Sequence, residues 1–138
     1  MSFVYRSSET QMKIALLGTL LLWSGSAYAL RFTDAQDEFA SELAFCAGYY
    51  SVGAVASENS GHKEESARLQ PTIQRALEMS AMLSNPKKSQ ARYELAMESQ
   101  VKTFKEEGFA RLMLQYSAPC KSALEHPDER LQYWVRKN

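Results

Sequence analysis

Apolar residues recur every three or four positions along much of the chain after residue 34, which is the spacing of one face of an α-helix. The clearest stripe consists of Phe39, Leu43, Cys46, Tyr50 and Ala54. Thr33 and Gln36 form a capping box, so this helix is predicted to begin near Asp34. Residues 59–61 (Asn-Ser-Gly) are typical of a helix end and predict where it stops.

A second stripe contains a proline and consists of Leu69, Ile73, Ala76, Ser80 and Leu83. Pro71 leaves two interpretations open. Either one helix kinks at the proline, or a turn over residues 64–70 precedes a new helix with Pro71 in its first turn. Asn85 followed by Pro86 ends this stretch and predicts the start of a third helix, because Asn caps helices and proline is favoured in their first turn.

The third stripe consists of Tyr93, Met97, Val101 and Phe104. Gly108 is then either a glycine tolerated inside a long helix or a break between two helices. Ser117 is predicted to cap a further helix with Pro119 in its first turn, and Pro127 is predicted to open the last one. No alternating pattern predicts a strand. The sequence therefore predicts an all-α fold, a small bundle of about four to six helices with short loops.

The N-terminal region has the pattern of a secretory signal peptide. Lys13 precedes an apolar run over residues 14–23, and Ala27 and Ala29 supply the small residues that signal peptidase requires. The run is short of the ~20 apolar residues that span a bilayer as a helix. Cleavage is expected after Ala29, giving a mature periplasmic or secreted chain that begins at Leu30.

On this basis the chain has three parts. Residues 1–11 are an upstream extension if Met12 is the true start, residues 12–29 are the signal peptide, and residues 30–138 form a single helical domain. No second apolar span follows the leader, so stable membrane insertion is not expected after cleavage.

The two cysteines, Cys46 and Cys120, are predicted to form a disulfide, because a signal peptide directs the chain to an oxidising compartment. Closing so long a loop is expected to stabilise the fold by about 4 kcal/mol. A redox role is the alternative, but the chain has no Cys-x-x-Cys motif. Structural zinc would need further ligands, and the chain has only two histidines.

Composition and charge exclude several function classes. The chain has 16 basic and 16 acidic residues and a formal net charge of zero, which argues against a nucleic-acid partner. A hydrophobic fraction of 45% is too high for a disordered chain. His62 and His126 fall in predicted loops without a triad-like context, and the sequence shows no phosphate loop or metal-ligand cluster. We therefore expect no enzyme activity, no cofactor and no metal.

Aromatic residues are the main candidates for a binding surface. Tyr49 and Tyr50 are adjacent on a predicted helix, where neighbours point about 100° apart, so both cannot lie at the centre of one stripe. One of them faces either the far side of a small core or a partner. Tyr133 and Trp134 form a second pair, and Tyr and Trp are enriched in protein interfaces. These four residues are the predicted partner-binding set.

Cys46, Ala47, Gly48 and Tyr49, followed by Gly53 on the same helix, resemble the cysteine helix of periplasmic immunity proteins of the Tai class. Members of that class are small, disulfide-bonded helical proteins that neutralise type VI secretion effectors. The resemblance covers residues 46–53 and implies an inhibitor of a secreted effector. The two glycines also permit close approach of this helix to a neighbour or, as an alternative, to its copy in a homodimer.

The function expected from these observations is that of a small exported helical protein that binds another protein without catalysing a reaction. An immunity-type inhibitor is one alternative. A second alternative is a carrier of a small apolar ligand, with an interior site lined by Phe39, Leu43, Ile73, Met97, Val101 and Phe104. An enzyme site assembled from acidic residues and tyrosines of different helices is the least favoured interpretation.

Overall fold

A computed structural model describes the backbone of residues 9–138 and the side chains of residues 27–138. It has five helices in this part of the chain: α1 (Glu9–Asn59), α2 (Lys63–Leu83), α3 (Pro86–Glu107), α4 (Phe109–Glu125) and α5 (Pro127–Lys137). No strand occurs among residues 9–138, so the predicted all-α fold is confirmed. The apolar run of the predicted signal peptide, residues 14–23, lies outside the residues whose side chains are described. The same holds for Met12, the alternative first residue of the chain.

The predicted start of the first helix near Asp34 is wrong, because α1 already runs through this position. The Thr33 hydroxyl donates a hydrogen bond backward to the Ala29 carbonyl, with 3.0 Å between the oxygen atoms, instead of capping a helix end. No proline interrupts residues 9–33, so the helical hydrogen-bond pattern can continue through them. The predicted end of the helix is confirmed, since α1 stops at Asn59 and Gly61 follows with a φ angle of 84°.

The structure resolves the alternatives left open at Pro71 and Gly108. Helix α2 runs continuously from Lys63 through Pro71 to Leu83. Helix α3 begins as predicted, because the Asn85 side chain accepts a hydrogen bond from the backbone N–H of Lys88 and Pro86 occupies the first turn. Gly108 separates α3 from α4 with a φ angle of 86°, a conformation that favours glycine.

The predicted helix start at Ser117 is wrong, because α4 continues through Ser117 and Pro119. The buried face of α4 explains this continuity. It includes Leu112 before the proline and Cys120, Ala123 and Leu124 after it, so the two halves are held against the same interior. Pro119 has no N–H, and the carbonyl of Gln115 therefore lacks its usual helical donor. Helix α5 begins at Pro127, as predicted.

The described chain divides into two compact units, one that ends at Thr33 and one over Asp34–Asn138. In the second unit, α1 contributes to two interior clusters. The first cluster consists of Phe39, Leu43, Ala47, Ala54, Ile73, Ala76, Ala123 and Leu124. The second consists of Cys46, Tyr49, Val52, Leu112 and Cys120. Different faces of one helix are thus buried against its neighbours, and α1 is the central helix of this unit.

The predicted disulfide between Cys46 and Cys120 is confirmed and links α1 to α4, with the two Cα atoms 5.4 Å apart. Gly48 lies two residues further along α1, where the helix approaches α3 closely. A Cβ atom at Gly48 would lie 2.7 Å from Oε1 of Gln100 and 3.0 Å from Cβ of Ala96. The side-chain amide of Gln100, itself buried, donates to the Phe45 carbonyl at 2.9 Å. Gly48 is thus a contact point between helices of one chain.

Ion pairs also join helices α1 and α3. Nη2 of Arg92 donates to Oδ2 of Asp37 at 2.7 Å, and Nζ of Lys88 lies 3.6 Å from Oδ1 of the same carboxylate. The hydrogen bond from Arg92 holds the pKa of Asp37 below its ordinary value of 3.8.

Among the residues that the structure describes, no helix is both long and apolar enough to span a membrane.

Candidate functional site

A groove of about 500 Å³ lies between α1, α4 and α5. Its walls come from three helices that are far apart in sequence. We call it the α5 groove and define it by its lining residues: Glu42, Phe45, Cys46, Gln115, Tyr116, Pro119, Cys120, Arg130, Tyr133, Trp134 and Lys137. The set includes both cysteines of the disulfide, which therefore ties together the two walls that α1 and α4 provide.

Glu42 holds α5 against α1. Nε of Arg130 donates to both carboxylate oxygens of Glu42, at 3.0 and 2.9 Å, and its Nη2 donates to Oε1 at 2.6 Å. The indole Nε1 of Trp134 donates to Oε2 at 2.7 Å. The Glu42 and Arg130 side chains are only 12% and 18% exposed. The hydrogen bonds that Arg130 donates to Glu42 raise the pKa of Arg130 above its ordinary value. One carboxylate therefore fixes two side chains of α5.

Four groove residues share one face of α5, because positions 130, 133, 134 and 137 are three and four residues apart. The guanidinium carbon of Arg130 lies 4.2 Å from the centre of the Tyr133 ring, and Nζ of Lys137 lies 4.5 Å from the centre of the Trp134 ring. The two rings meet edge to face, with 5.4 Å between their centres. These contacts produce a surface on which cations and aromatic rings alternate.

The structure separates the four residues of the predicted binding set. Tyr133 and Trp134 line the α5 groove, and Tyr133 is 39% exposed. Tyr49 lies in the second interior cluster, 8% exposed, where its ring stacks on that of Phe109 at 5.9 Å between centres. Tyr50 lies in a different groove. Of the four residues in the predicted binding set, only Tyr133 and Trp134 therefore share one accessible surface.

The groove at Tyr50 is smaller, about 380 Å³, and lies among α1, α2 and α4. It is lined by Tyr50 and by three charged residues, Arg75, Lys121 and Glu125, among others. Burial raises the pKa of Tyr50 above its ordinary value of 10.0, helped by the negative charge of Glu125. The raised pKa means that this environment favours the protonated phenol over the phenolate.

The residues predicted to line an internal ligand site do not surround one space. Three belong to the first interior cluster: Phe39, Leu43 and Ile73. Met97 and Val101 pack against the second cluster, and Phe104 is 36% exposed at the surface.

His62 and His126 lie at helix ends, as N-cap of α2 and as the residue between α4 and α5. Both side chains are exposed. Within the described part of the chain, no three His, Cys, Asp or Glu residues come together in a group that could hold a metal ion.

Sequence reasoning missed Glu42, Arg130 and Lys137. The last two could have been found, because they lie on the same predicted helix face as Tyr133 and Trp134. Glu42 gave no such signal, since it lies 88 positions before Arg130 and its sequence surroundings are those of an ordinary charged helix position.

Comparison of this chain with protein-family models, curated proteins and solved structures gave no match.

Proposed function

We propose that this protein binds another protein outside the cytoplasm without catalysing a reaction, and that the α5 groove is its binding surface. The observation that carries the proposal is the placement of Tyr133 and Trp134. They line an open groove together with cationic side chains, and such aromatic and cationic residues dominate the binding energy of protein interfaces.

The α5 groove is also held in shape before any partner arrives. Glu42 fixes Arg130 and Trp134 by hydrogen bonds, and the disulfide joins the walls on α1 and α4. A rigid surface loses little side-chain entropy when it binds, so more of the contact energy is retained as affinity. This rigidity favours a recognition role over a role in structural packing alone.

An extracytoplasmic location fits the disulfide, since disulfides persist in oxidising compartments and are rare in the cytosol. The signal-peptide pattern before Leu30 supports the same location from the sequence. The resemblance over residues 46–53 gives a narrower version of the proposal, in which the partner is a secreted effector and this protein is its immunity-type inhibitor. The all-helical fold and the disulfide fit that description.

Site-specific photo-crosslinking in the cells that produce the protein tests the proposal. Benzoylphenylalanine in place of Tyr133 should give a discrete crosslinked protein band, identified by mass spectrometry. The control places the same group at Leu95, which is 58% exposed on α3 and does not line the α5 groove. A band at both positions, or at neither, would contradict the proposal. A secreted toxic enzyme in the band would support the immunity-type version.

A further inference from the structure

We propose that the α5 groove recognises an acidic segment of its protein partner, in which a carboxylate pairs with Lys137 and a neighbouring apolar side chain packs against Tyr116 and Tyr133. This inference rests on the proposed function, because it names the chemistry of the partner that the α5 groove accepts.

The charges that line the α5 groove do not balance one another. Its charged lining residues are Glu42, Arg130 and Lys137. The Glu42 carboxylate is already occupied by Arg130 and by the Trp134 indole, so these two opposite charges cancel within the wall. Lys137 has no carboxylate of another described side chain within 4.0 Å. The groove therefore presents one uncompensated positive charge to a partner.

The uncompensated charge of Lys137 lies beside two aromatic rings. Nζ of Lys137 lies 4.5 Å from the centre of the Trp134 ring and 5.9 Å from that of Tyr133. Contact with the rings keeps the ammonium group at the groove while its N–H donors remain able to reach an anion. A carboxylate bound there lies beside aromatic surface, which explains why the favoured segment combines a negative charge with an apolar side chain.

The wall opposite α5 is apolar. Tyr116 and Pro119 of α4 offer surface against which an apolar side chain of the partner can pack. Nucleic acid fits less well, because it would require several phosphate contacts and the α5 groove has one uncompensated cation.

The test selects displayed random peptides against the full-length chain and measures binding through tryptophan fluorescence. The chain has two tryptophans, so Trp23→Phe leaves Trp134 in the α5 groove as the only reporter. Selected peptides should combine Asp or Glu with an adjacent large apolar residue. Synthetic versions should lose about fivefold in affinity when the acidic residue becomes its amide, the upper range for an exposed ion pair.

Variants of the protein separate the two proposals. Lys137→Glu should weaken binding of the acidic peptides and improve binding of peptides with Lys at the acidic position, whereas Lys102→Glu, an exposed lysine of α3, should change neither. Peptides that need Tyr133 but show no acidic preference and no response to Lys137→Glu would overturn this inference alone. Peptides that bind the Tyr133→Ala chain equally well, or the absence of any binding peptide, would overturn it together with the proposed α5 groove.

Discussion

Replacing Glu42 with alanine removes the carboxylate that accepts hydrogen bonds from both Arg130 and Trp134. The consequence should be large, because α5 has no fully buried residue of its own. It remains attached through this carboxylate and through the partial burial of Leu131 and Trp134 against the first interior cluster. Without Glu42, the guanidinium and the indole N–H lose their partner at a site that water reaches poorly.

The size of the effect follows from burial. A hydrogen bond to a charged group contributes about 1.5–3 kcal/mol, and removing one partner of a fully buried ion pair costs about 3–5 kcal/mol. The Glu42 and Arg130 side chains are 12% and 18% exposed, so solvent compensates part of the loss. We expect Glu42→Ala to lower the free energy of unfolding by about 2–3 kcal/mol, equivalent to a fall in Tm of roughly 10 °C for a domain of this size.

Urea unfolding followed by circular dichroism measures this change. Glu38→Ala is the matched control, because Glu38 lies one turn earlier on α1 and is exposed, so its loss should cost less than about 0.5 kcal/mol. A double-mutant cycle with Arg130→Ala should give a coupling energy of at least about 1 kcal/mol. If Glu42→Ala is no more costly than Glu38→Ala, the attachment of α5 by this carboxylate is refuted.

Three further results are expected from α1 and its N-terminal region. Gly48→Ala should lower the free energy of unfolding by about 1–2 kcal/mol, because the new methyl group overlaps the Gln100 side chain, and the loss should shrink in a Gln100→Ala background. Asp37 has a pKa lowered by Arg92, so its stabilisation is present above the ordinary value of 3.8 and is lost as pH falls through the lower folded value. Asp37→Asn should therefore flatten the decline of urea midpoints below about pH 4, whereas parallel curves would contradict this. The intact mass of protein recovered from its producing cells should begin at Leu30 and gain two alkyl groups only after reduction; a full-length mass with free thiols would contradict export.

Local signals in the sequence were sufficient for most of the fold. The Asn85 cap, Pro86 and Pro127 fix helix starts through the hydrogen bonding and φ angle of single residues, so their effect could be predicted without knowledge of the tertiary structure. The disulfide followed from cysteine count and expected compartment. The helix starts depend on a few neighbouring positions, and two cysteines of one chain can pair with each other in only one way.

Two predicted helix starts were wrong although their local sequence signals were present. Thr33 has the sequence of a helix cap, yet its hydroxyl bonds backward to Ala29 because the helix continues on both sides. Pro119 has the sequence of a first-turn proline, yet Leu112 and Cys120 hold the residues on both sides of it against the interior. Both residues suit two conformations, and at Pro119 contacts from distant residues select the helix interior.

The predicted binding set shows the same limit at the level of function. Tyr49 and Tyr133 are equally good interface residues by type, but Tyr49 is directed into the second interior cluster by the close packing of α1 against α4. Burial of one tyrosine and exposure of another depend on which faces of their helices are covered. Sequence alone identifies such candidates, and the arrangement of helices decides among them.

Within two turns of α5, the residues that hold the helix differ from those assigned to the proposed recognition. Arg130 and Trp134 bond to Glu42 and hold the helix, whereas the ring of Tyr133 and the ammonium group of Lys137 make no hydrogen bond to another described side chain. Substitutions at the first pair should therefore reduce stability and distort the α5 groove. Substitutions at the second pair should change the shape and charge offered to a partner at little cost in folding. If the α5 groove binds a partner as proposed, its preference can thus be altered at Tyr133 and Lys137 while the bundle stays intact.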